Sequence, residues 1–194
     1  MRIPFDGCSS WKPCSLVAVG ILLGLCLPTW FLKDPAVVAQ EKTKTGAEAR
    51  LSQLMLDLPA VSKPTNTFFN AVRVGDMLYV SGSGPGKGVV GRLGQDYDVQ
   101  QGKAAARQVG LQILAVVKAE LGSLDKVQRL VKTLGMVNAA PDFKAHPQVI
   151  NGFSDLMVEV FGEVNGKGAR SAVGMSSLPG GIPVEIECIF QVRK

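Results

Sequence analysis

Residues 168–192, GARSAVGMSSLPGGIPVEIECIFQV, decide the fold of this chain. Residues 169–177 and 182–192 are short runs that contain β-branched residues and in which the residue type alternates along the chain. Both features are typical of strands. The LPGG sequence at 178–181 lies between them and has the Pro and Gly residues that tight turns prefer. The pattern therefore predicts two antiparallel strands joined as a hairpin.

The last strand has two different faces, because successive side chains of a strand point in opposite directions. The apolar face is expected to lie against helices and contains Val184, Ile186, Cys188 and Phe190. Glu185 and Glu187 point the other way. If the hairpin pairs Ser177 with Ile182, the preceding strand adds small and charged residues to the glutamate face, namely Arg170, Ala172 and Gly174. We interpret that face as one that packs on other subunits around a polar pocket.

The segment before the long helices is expected to contain a short helix and two strands. Apolar residues at helical spacing predict a helix over residues 47–58, which Pro59 ends. Residues 70–74 and 77–81 read as strands that turn at Gly75 and Asp76. The following residues 81–88, SGSGPGKG, are too rich in glycine for regular structure and are expected to form a loop.

Two long helices and one more strand complete the pattern. Asp98 and Gln101 form a capping box that begins the first long helix, and Gly122 closes it. Residues 127–138 are aliphatic and β-branched and read as a strand. Pro147 suits the first turn of the second long helix. The order helix, then β-β-α-β-α-β-β predicts an α+β fold with a mixed sheet and both long helices on one face.

The amino-terminal 39 residues are predicted to be a targeting segment and not part of the fold. Arg2 and Lys12 precede an apolar run at residues 15–32, and Val37-Val38-Ala39 offers small residues for cleavage. We therefore expect a signal peptide at 1–39 and an exported protein, either periplasmic or secreted. The alternative is that residues 15–32 remain as a membrane anchor. After cleavage, no association with the membrane is expected; residues 40–65 would be a lead-in with the short helix, and 66–194 the main domain.

Composition excludes several classes of function. The chain has 21 Lys and Arg against 16 Asp and Glu, and the basic residues are scattered singly, so no nucleic-acid partner is expected. His146 is the one histidine, which excludes mechanisms that need a histidine pair. Cys188 is the only cysteine after the leader, and no Cys/His spacing suits a metal ion.

The candidate polar site residues are Arg170, Glu185, Ser81 and Asn151. A guanidinium in a cleft binds a planar carboxylate through two parallel hydrogen bonds. A neighbouring carboxylate can orient a water molecule or exchange protons with a substrate nitrogen. A surface arginine and a surface glutamate are the alternative interpretation, and these residue types alone do not identify a function.

Residues 168–187 closely resemble the carboxy-terminal signature of the RidA/YjgF family, whose members are also known as endoribonuclease L-PSP or chorismate-mutase-like proteins. The resemblance continues through VRVGDMLYVSG at 72–82, LGSLDKV at 121–127 and NGFSDL at 151–156. It is strongest for a longer subgroup that carries the sequences RSAVG and VFGE. It implies a chorismate-mutase-like fold assembled as a trimer, with active sites in clefts between subunits.

The resemblance also implies a reaction and roles for individual residues. Characterised relatives hydrolyse reactive 2-imino or 2-enamino acids to 2-oxo acids and ammonia without a cofactor or a metal. Arg170 would bind the carboxylate of a small-molecule substrate, and Glu185 would position the attacking water. Ser81 and Asn151 match polar pocket positions. Phe68 replaces the usual pocket tyrosine, and Ala172 replaces a residue that is often cysteine.

These departures keep other functions open. A non-catalytic protein of the same fold would hold 2-oxo acids or amino acids through Arg170 without converting them. Ribonuclease activity, the third class, is suggested by the family's older name, but it is disfavoured because the chain has neither a histidine pair nor a basic stripe.

Overall fold

The computed structural model describes residues 46–61 and 67–194. The predicted leader and its cleavage site lie outside the described residues. The helices are α1 (Ala47–Gln53), α2 (Val99–Leu121), α3 (His146–Phe161) and α4 (Glu163–Gly166). The strands are β1 (Ala71–Val74), β2 (Met77–Ser83), β3 (Val127–Asn138), β4 (Ala169–Met175) and β5 (Val184–Val192).

The strands form a five-stranded sheet in the order β1-β2-β5-β3-β4. Neighbouring strands are antiparallel except for β3 and β4, which are parallel. Helices α2 and α3 pack side by side over one face of this sheet, which confirms the predicted α+β layering. The opposite face carries no element of the described chain, and we call it the open face.

The core lies between the sheet and the two long helices. Apart from Thr133 it is apolar, and its largest fully buried side chains include Phe153, Phe190, Leu78, Ile113, Leu114, Ile150, Leu156 and Met157. The helices approach each other closely at Gly152, where an added Cβ would overlap the carbonyl oxygen of Lys103. Each long helix buries one stripe of side chains, and the sheet buries one face. This explains why the sequence shows both the helical and the strand periodicity.

The predicted hairpin between the last two strands is wrong. Strand β4 pairs with β3 alone, and β5 lies on the other side of β3, between β3 and β2. Because β3, α3 and β4 form a strand–helix–strand crossover, β4 returns parallel to β3 and occupies the sheet edge. The Leu178–Gly181 region therefore bridges over β3, and its carbonyl at Gly181 accepts a hydrogen bond from the Gly91 N–H at 2.9 Å.

Most element boundaries agree with the sequence patterns. The capping box at Asp98 is present, and Gly122 ends α2 in the left-handed conformation with φ 80°. Strand β1 starts one residue later than predicted, and β4 and β5 are each two residues shorter at the connection between them. Two further boundaries differ. Helix α1 ends at Gln53 and not at residue 58, because Met55 adopts a positive φ of 51°. Strand β2 extends to Ser83, so the first residues of the glycine-rich segment are paired with β5 rather than looped.

One carboxylate of helix α1 contributes to its docking on the main domain. Glu48 contacts Lys118 at 2.8 Å and accepts a hydrogen bond from the Leu124 N–H at 2.9 Å. Burial opposes ionisation of this carboxyl, but these two partners outweigh it and lower its pKa. No helix within residues 46–61 and 67–194 is both long and apolar enough to span a bilayer.

Candidate functional site

Arg170 lies on the edge strand β4 with its side chain on the helix side of the sheet. Its register partner is Thr133 of β3, which pairs in turn with Cys188 of β5, and both of those residues are buried under the helices. Ala172 and Gly174 follow on the same side. The prediction that these three residues share a face with the glutamates is therefore wrong, since it depended on the hairpin register.

The guanidinium of Arg170 is held by one face of α3. Its Nη1 donates to Asn151 Oδ1 at 2.8 Å and to Ser154 Oγ at 2.9 Å. Residues three apart on a helix lie next to each other, which is why both side chains reach the same nitrogen. Asn151 was predicted as a site residue from the sequence; Ser154 was missed, although its i+3 spacing from Asn151 could have indicated it.

Ala172 and His146 have packing roles in this region. The Ala172 side chain is partly buried against the core. The His146 ring lies over Gly174, where an added Cβ would come within 2.6 Å of Nε2. The same ring makes an edge contact with Phe143, with centroids 5.2 Å apart. His146 is therefore part of the contact between α3 and the sheet. It is not one of the residues that hold the Arg170 guanidinium.

Glu185 lies on the open face, against the backbone of Gly82. An added Cβ at Gly82 would overlap the Glu185 carboxylate, so only glycine leaves room for it. Strand β2 carries one extra residue between Val80 and Ser83 relative to β5, which is a β-bulge at this point. Burial raises the pKa of the Glu185 carboxyl, and the charge of Glu187 raises it further.

Ser81 lies on the open face and contacts the segment that carries Phe68. The Ser81 hydroxyl donates to the Phe69 carbonyl oxygen at 2.7 Å, and the Ser81 N–H donates to the Asn70 carbonyl at 3.0 Å. Ser81 therefore anchors the segment that enters β1 to strand β2. Phe68 lies on that segment and is 49% exposed, which leaves its ring available for contact.

The predicted site residues thus form two groups on opposite faces of the sheet. Arg170, Asn151 and Ala172 lie on the helix side, whereas Glu185 and Ser81 lie on the open face. The register places the backbones of Arg170 and Glu185 two strands and three residues apart, which corresponds to about 14 Å. Within one chain these two side chains cannot meet on one small molecule.

The open face is more apolar than a solvated sheet face. Its exposed large side chains include Val72 (47%), Val74 (62%), Tyr79 (45%), Val173 (39%) and Met175 (37%). A groove of about 260 Å³ crosses it beside Lys132 and Glu187. Several exposed apolar side chains on one sheet face mark an interaction surface more often than free solvent contact.

A second cavity, of about 260 Å³, is lined in part by Arg170. Its walls mix apolar and polar side chains, including Leu130, Thr133, Ser154, Asp155, Val158 and Lys167. A larger cleft of about 400 Å³ lies beside the glycine-rich segment and includes Ser83, Lys87 and Gln112. Within the described ranges, no cluster of three His, Cys, Asp or Glu side chains could hold a metal ion.

A family model described as "YjgF/chorismate mutase-like, putative endoribonuclease" matches residues 48–186. The Trypanosoma cruzi protein TCP17 is 40% identical over 149 residues, which cover 75% of this chain and 93% of TCP17. The family-model match extends over β1 to β4, the two long helices and the start of β5.

Solved structures agree with these matches. The Agrobacterium tumefaciens protein Atu1372, of unknown function, is 39% identical with a TM-score of 0.69, and the match covers 76% of this chain and 92% of Atu1372. A Shewanella oneidensis protein described as a "putative endoribonuclease" is 28% identical with a TM-score of 0.72, and the match covers 76% of this chain and 99% of that protein.

Substituting Gly82 with alanine tests the placement of Glu185. The new methyl group displaces the end of a flexible side chain and no backbone, so we expect Gly82→Ala to fold normally. The displaced carboxylate becomes better solvated, and its pKa moves down toward the ordinary value of 4.5. Carboxyl ¹³C NMR titration measures this shift. Gly84→Ala is the control, because its methyl meets only the tip of Ile182; an equal shift in both variants would contradict the placement.

Proposed function

Since this chain belongs to the YjgF/chorismate-mutase-like family, we propose that it hydrolyses small 2-imino or 2-enamino acids to 2-oxo acids and ammonia. In this reaction water adds to the C2 carbon of the imine, and the C–N bond of the resulting carbinolamine then breaks. One water molecule is consumed and one ammonia molecule leaves for each 2-oxo acid formed. No electron is transferred, so the chemistry needs only carboxylate binding and proton movement.

The observation that carries the proposal is the electrostatic state of Arg170. Its guanidinium is held by a neutral amide and a neutral hydroxyl, so its positive charge is not compensated by either. The nearby acidic residues of α3 are paired elsewhere: Asp155 with Lys103 and Glu159 with Arg107, both at 2.7 Å. An arginine that is fixed in place but not neutralised is suited to bind the carboxylate of a substrate.

Glu185 supplies the second function that hydrolysis needs. Ionised, its carboxylate accepts a hydrogen bond from water and can take the proton that water loses on attack. The raised pKa brings this group closer to the pH at which it exchanges protons efficiently. Phe68 cannot donate a hydrogen bond to the substrate as a tyrosine would, and this departure favours simple binding of 2-oxo acids as the second candidate.

Catalysis by both residues requires a second copy of the chain. Arg170 and Glu185 lie on opposite faces of one sheet, so a shared site must take one residue from each of two subunits. We propose a closed trimer, in which each open face is covered by a neighbouring copy and each cleft joins Arg170 of one subunit to Glu185 of the next. The exposed apolar residues of the open face support this assembly.

The first test is substitution of Arg170. We expect Arg170→Ala to lose on the order of 2–5 kcal/mol of ligand-binding free energy, because a shielded charge pair is broken. Arg170→Lys should also bind poorly, since an ammonium lacks the two-pronged geometry. The assay follows ammonia and 2-oxo acid released from an imine that an amino-acid oxidase generates in situ. Unchanged binding in Arg170→Lys would contradict the role of the arginine. Tight 2-oxo acid binding without product release would instead support the binding-protein alternative.

Mixing two inactive variants tests the shared site. Arg170→Ala and Glu185→Gln are each expected to be inactive, because each lacks one half of every site. If they are denatured together and refolded at equal amounts, about a quarter of the clefts regain both residues, by random assembly around a closed ring. Recovery of about a quarter of wild-type activity is the expected result. Variants that are mixed without refolding serve as the control, and a stable active monomer in light scattering would contradict the assembly.

The pH profile tests the role of Glu185. If the ionised carboxylate is required, kcat/KM rises with pH through a pKa above the ordinary value of 4.5. Glu187→Gln removes a like charge, which lowers the pKa of Glu185, so the acid limb of the profile should move to lower pH. Glu163→Gln is the control, because Glu163 pairs with Lys167 after α3, away from the open face. An acid limb that stays in place in Glu187→Gln would contradict this role.

A further inference from the structure

We propose that Ser154 is a positioning residue for Arg170, and that with Asn151 it makes the Nε–Nη2 edge of the guanidinium the carboxylate-binding edge. This inference deepens the proposed function and rests on it. It depends on which guanidinium nitrogen already donates hydrogen bonds to side chains of α3.

The donors of Arg170 divide into a used nitrogen and a free edge. A guanidinium has five N–H groups: two on Nη1, two on Nη2 and one on Nε. Nη1 donates to Asn151 Oδ1 at 2.8 Å and to Ser154 Oγ at 2.9 Å, which uses both of its hydrogens. Among the contacts of residues 46–61 and 67–194, Nη2 and Nε of Arg170 make no further hydrogen bond.

A carboxylate can bind arginine through two parallel hydrogen bonds in two ways. It approaches either the end of the group, between Nη1 and Nη2, or the side, between Nε and Nη2. The end-on approach would have to displace Asn151 or Ser154 from Nη1. Only the side-on edge has two free donors in the right arrangement, so the two α3 side chains select it.

Ser154 contributes more than a hydrogen bond to a surface arginine. With Asn151 alone, the Nη1 group has one fixed hydrogen and the long side chain can rotate about its last bonds. The second acceptor fixes the plane of the guanidinium, and fixing that plane before binding lowers the entropy cost of ordering it in the complex. Because a hydroxyl is neutral, it does so without competing for the charge that the substrate carboxylate needs.

The neighbouring residue Asp155 provides a matched comparison. It lies next to Ser154 on α3 and lines the same cavity beside Arg170. Its carboxylate is paired with Lys103 at 2.7 Å and makes no bond to the guanidinium. A change at Asp155 therefore alters the local surface and charge without altering the hydrogen bonds of Nη1.

The experiment compares Ser154→Ala, Ser154→Thr and Asp155→Asn in the full-length protein, with pyruvate as the binding probe and the imine assay for turnover. We expect Ser154→Ala to weaken pyruvate binding and to raise KM by about tenfold, with kcat changed little, since one hydrogen bond to a charged group is lost. Ser154→Thr keeps a hydroxyl and should restore both values. Asp155→Asn removes a negative charge from the wall of the same cavity but keeps the hydrogen bonds of Nη1, so it should not weaken pyruvate binding. Equal binding by Ser154→Ala and wild type would overturn the positioning role.

Arginine ¹⁵N NMR separates failure of this inference from failure of the proposed function. Without any ligand, the Nη1 hydrogens of Arg170 should exchange slowly in the wild type and rapidly in Ser154→Ala. Pyruvate should then shift Nε and Nη2 more than Nη1. If the wild type binds no pyruvate but Nη1 is protected, the proposed function fails while the positioning by Ser154 stands. If Nη1 is unprotected, or if pyruvate shifts it most, the inference is wrong whatever the protein catalyses.

Discussion

The close approach of α3 to the sheet is the constraint on which the rest of the site depends. Two glycines make it achievable: a Cβ at Gly135 would strike Ile150, and one at Gly174 would strike His146. With no side chains between them, the helix lies low enough over β3 and β4 for its polar residues to reach the edge strand. Asn151 and Ser154 hold Arg170 only because this distance is short. A larger residue at either glycine would move α3 away from the sheet and separate Arg170 from Asn151 and Ser154.

The sequence predicted those parts of the fold that local patterns determine. Caps and hydrophobic periodicity located α2 and α3, and β-branched content located β3, because each pattern is a direct consequence of one buried face. Strand order was not local. The segment around Leu178–Gly181 has the residues of a tight turn, yet it joins β4 to β5 across the intervening β3. A hairpin and a connection that skips one strand place the same residue types in the loop.

The error in strand order carried over to the site. Arg170 and Glu185 were found through their chemistry and through the family resemblance, but the face of each followed from the assumed register, and one register change moves every side chain of β4 to the other face. The strand–helix–strand crossover around α3 was the available signal, since it requires β4 to run parallel beside β3. Gly82 was missed for another reason: its importance lies in what its atoms contact, and no spacing rule reports that a glycine makes room for a carboxylate. Ser154 had a local signal, its i+3 spacing from Asn151.

Cys188 has a consequence for how the domain opens. It lies in the central strand β5, is 3% exposed, and has its pKa raised by burial, which disfavours the reactive thiolate in the folded state. It is also the only cysteine after residue 39. A thiol-modifying reagent can therefore reach it only after the layer of long helices has separated from the sheet. In a chain without the leader, the rate of modification of this one sulfur atom therefore reports how often the helices open away from the sheet, and it does not respond to fraying at the sheet edges.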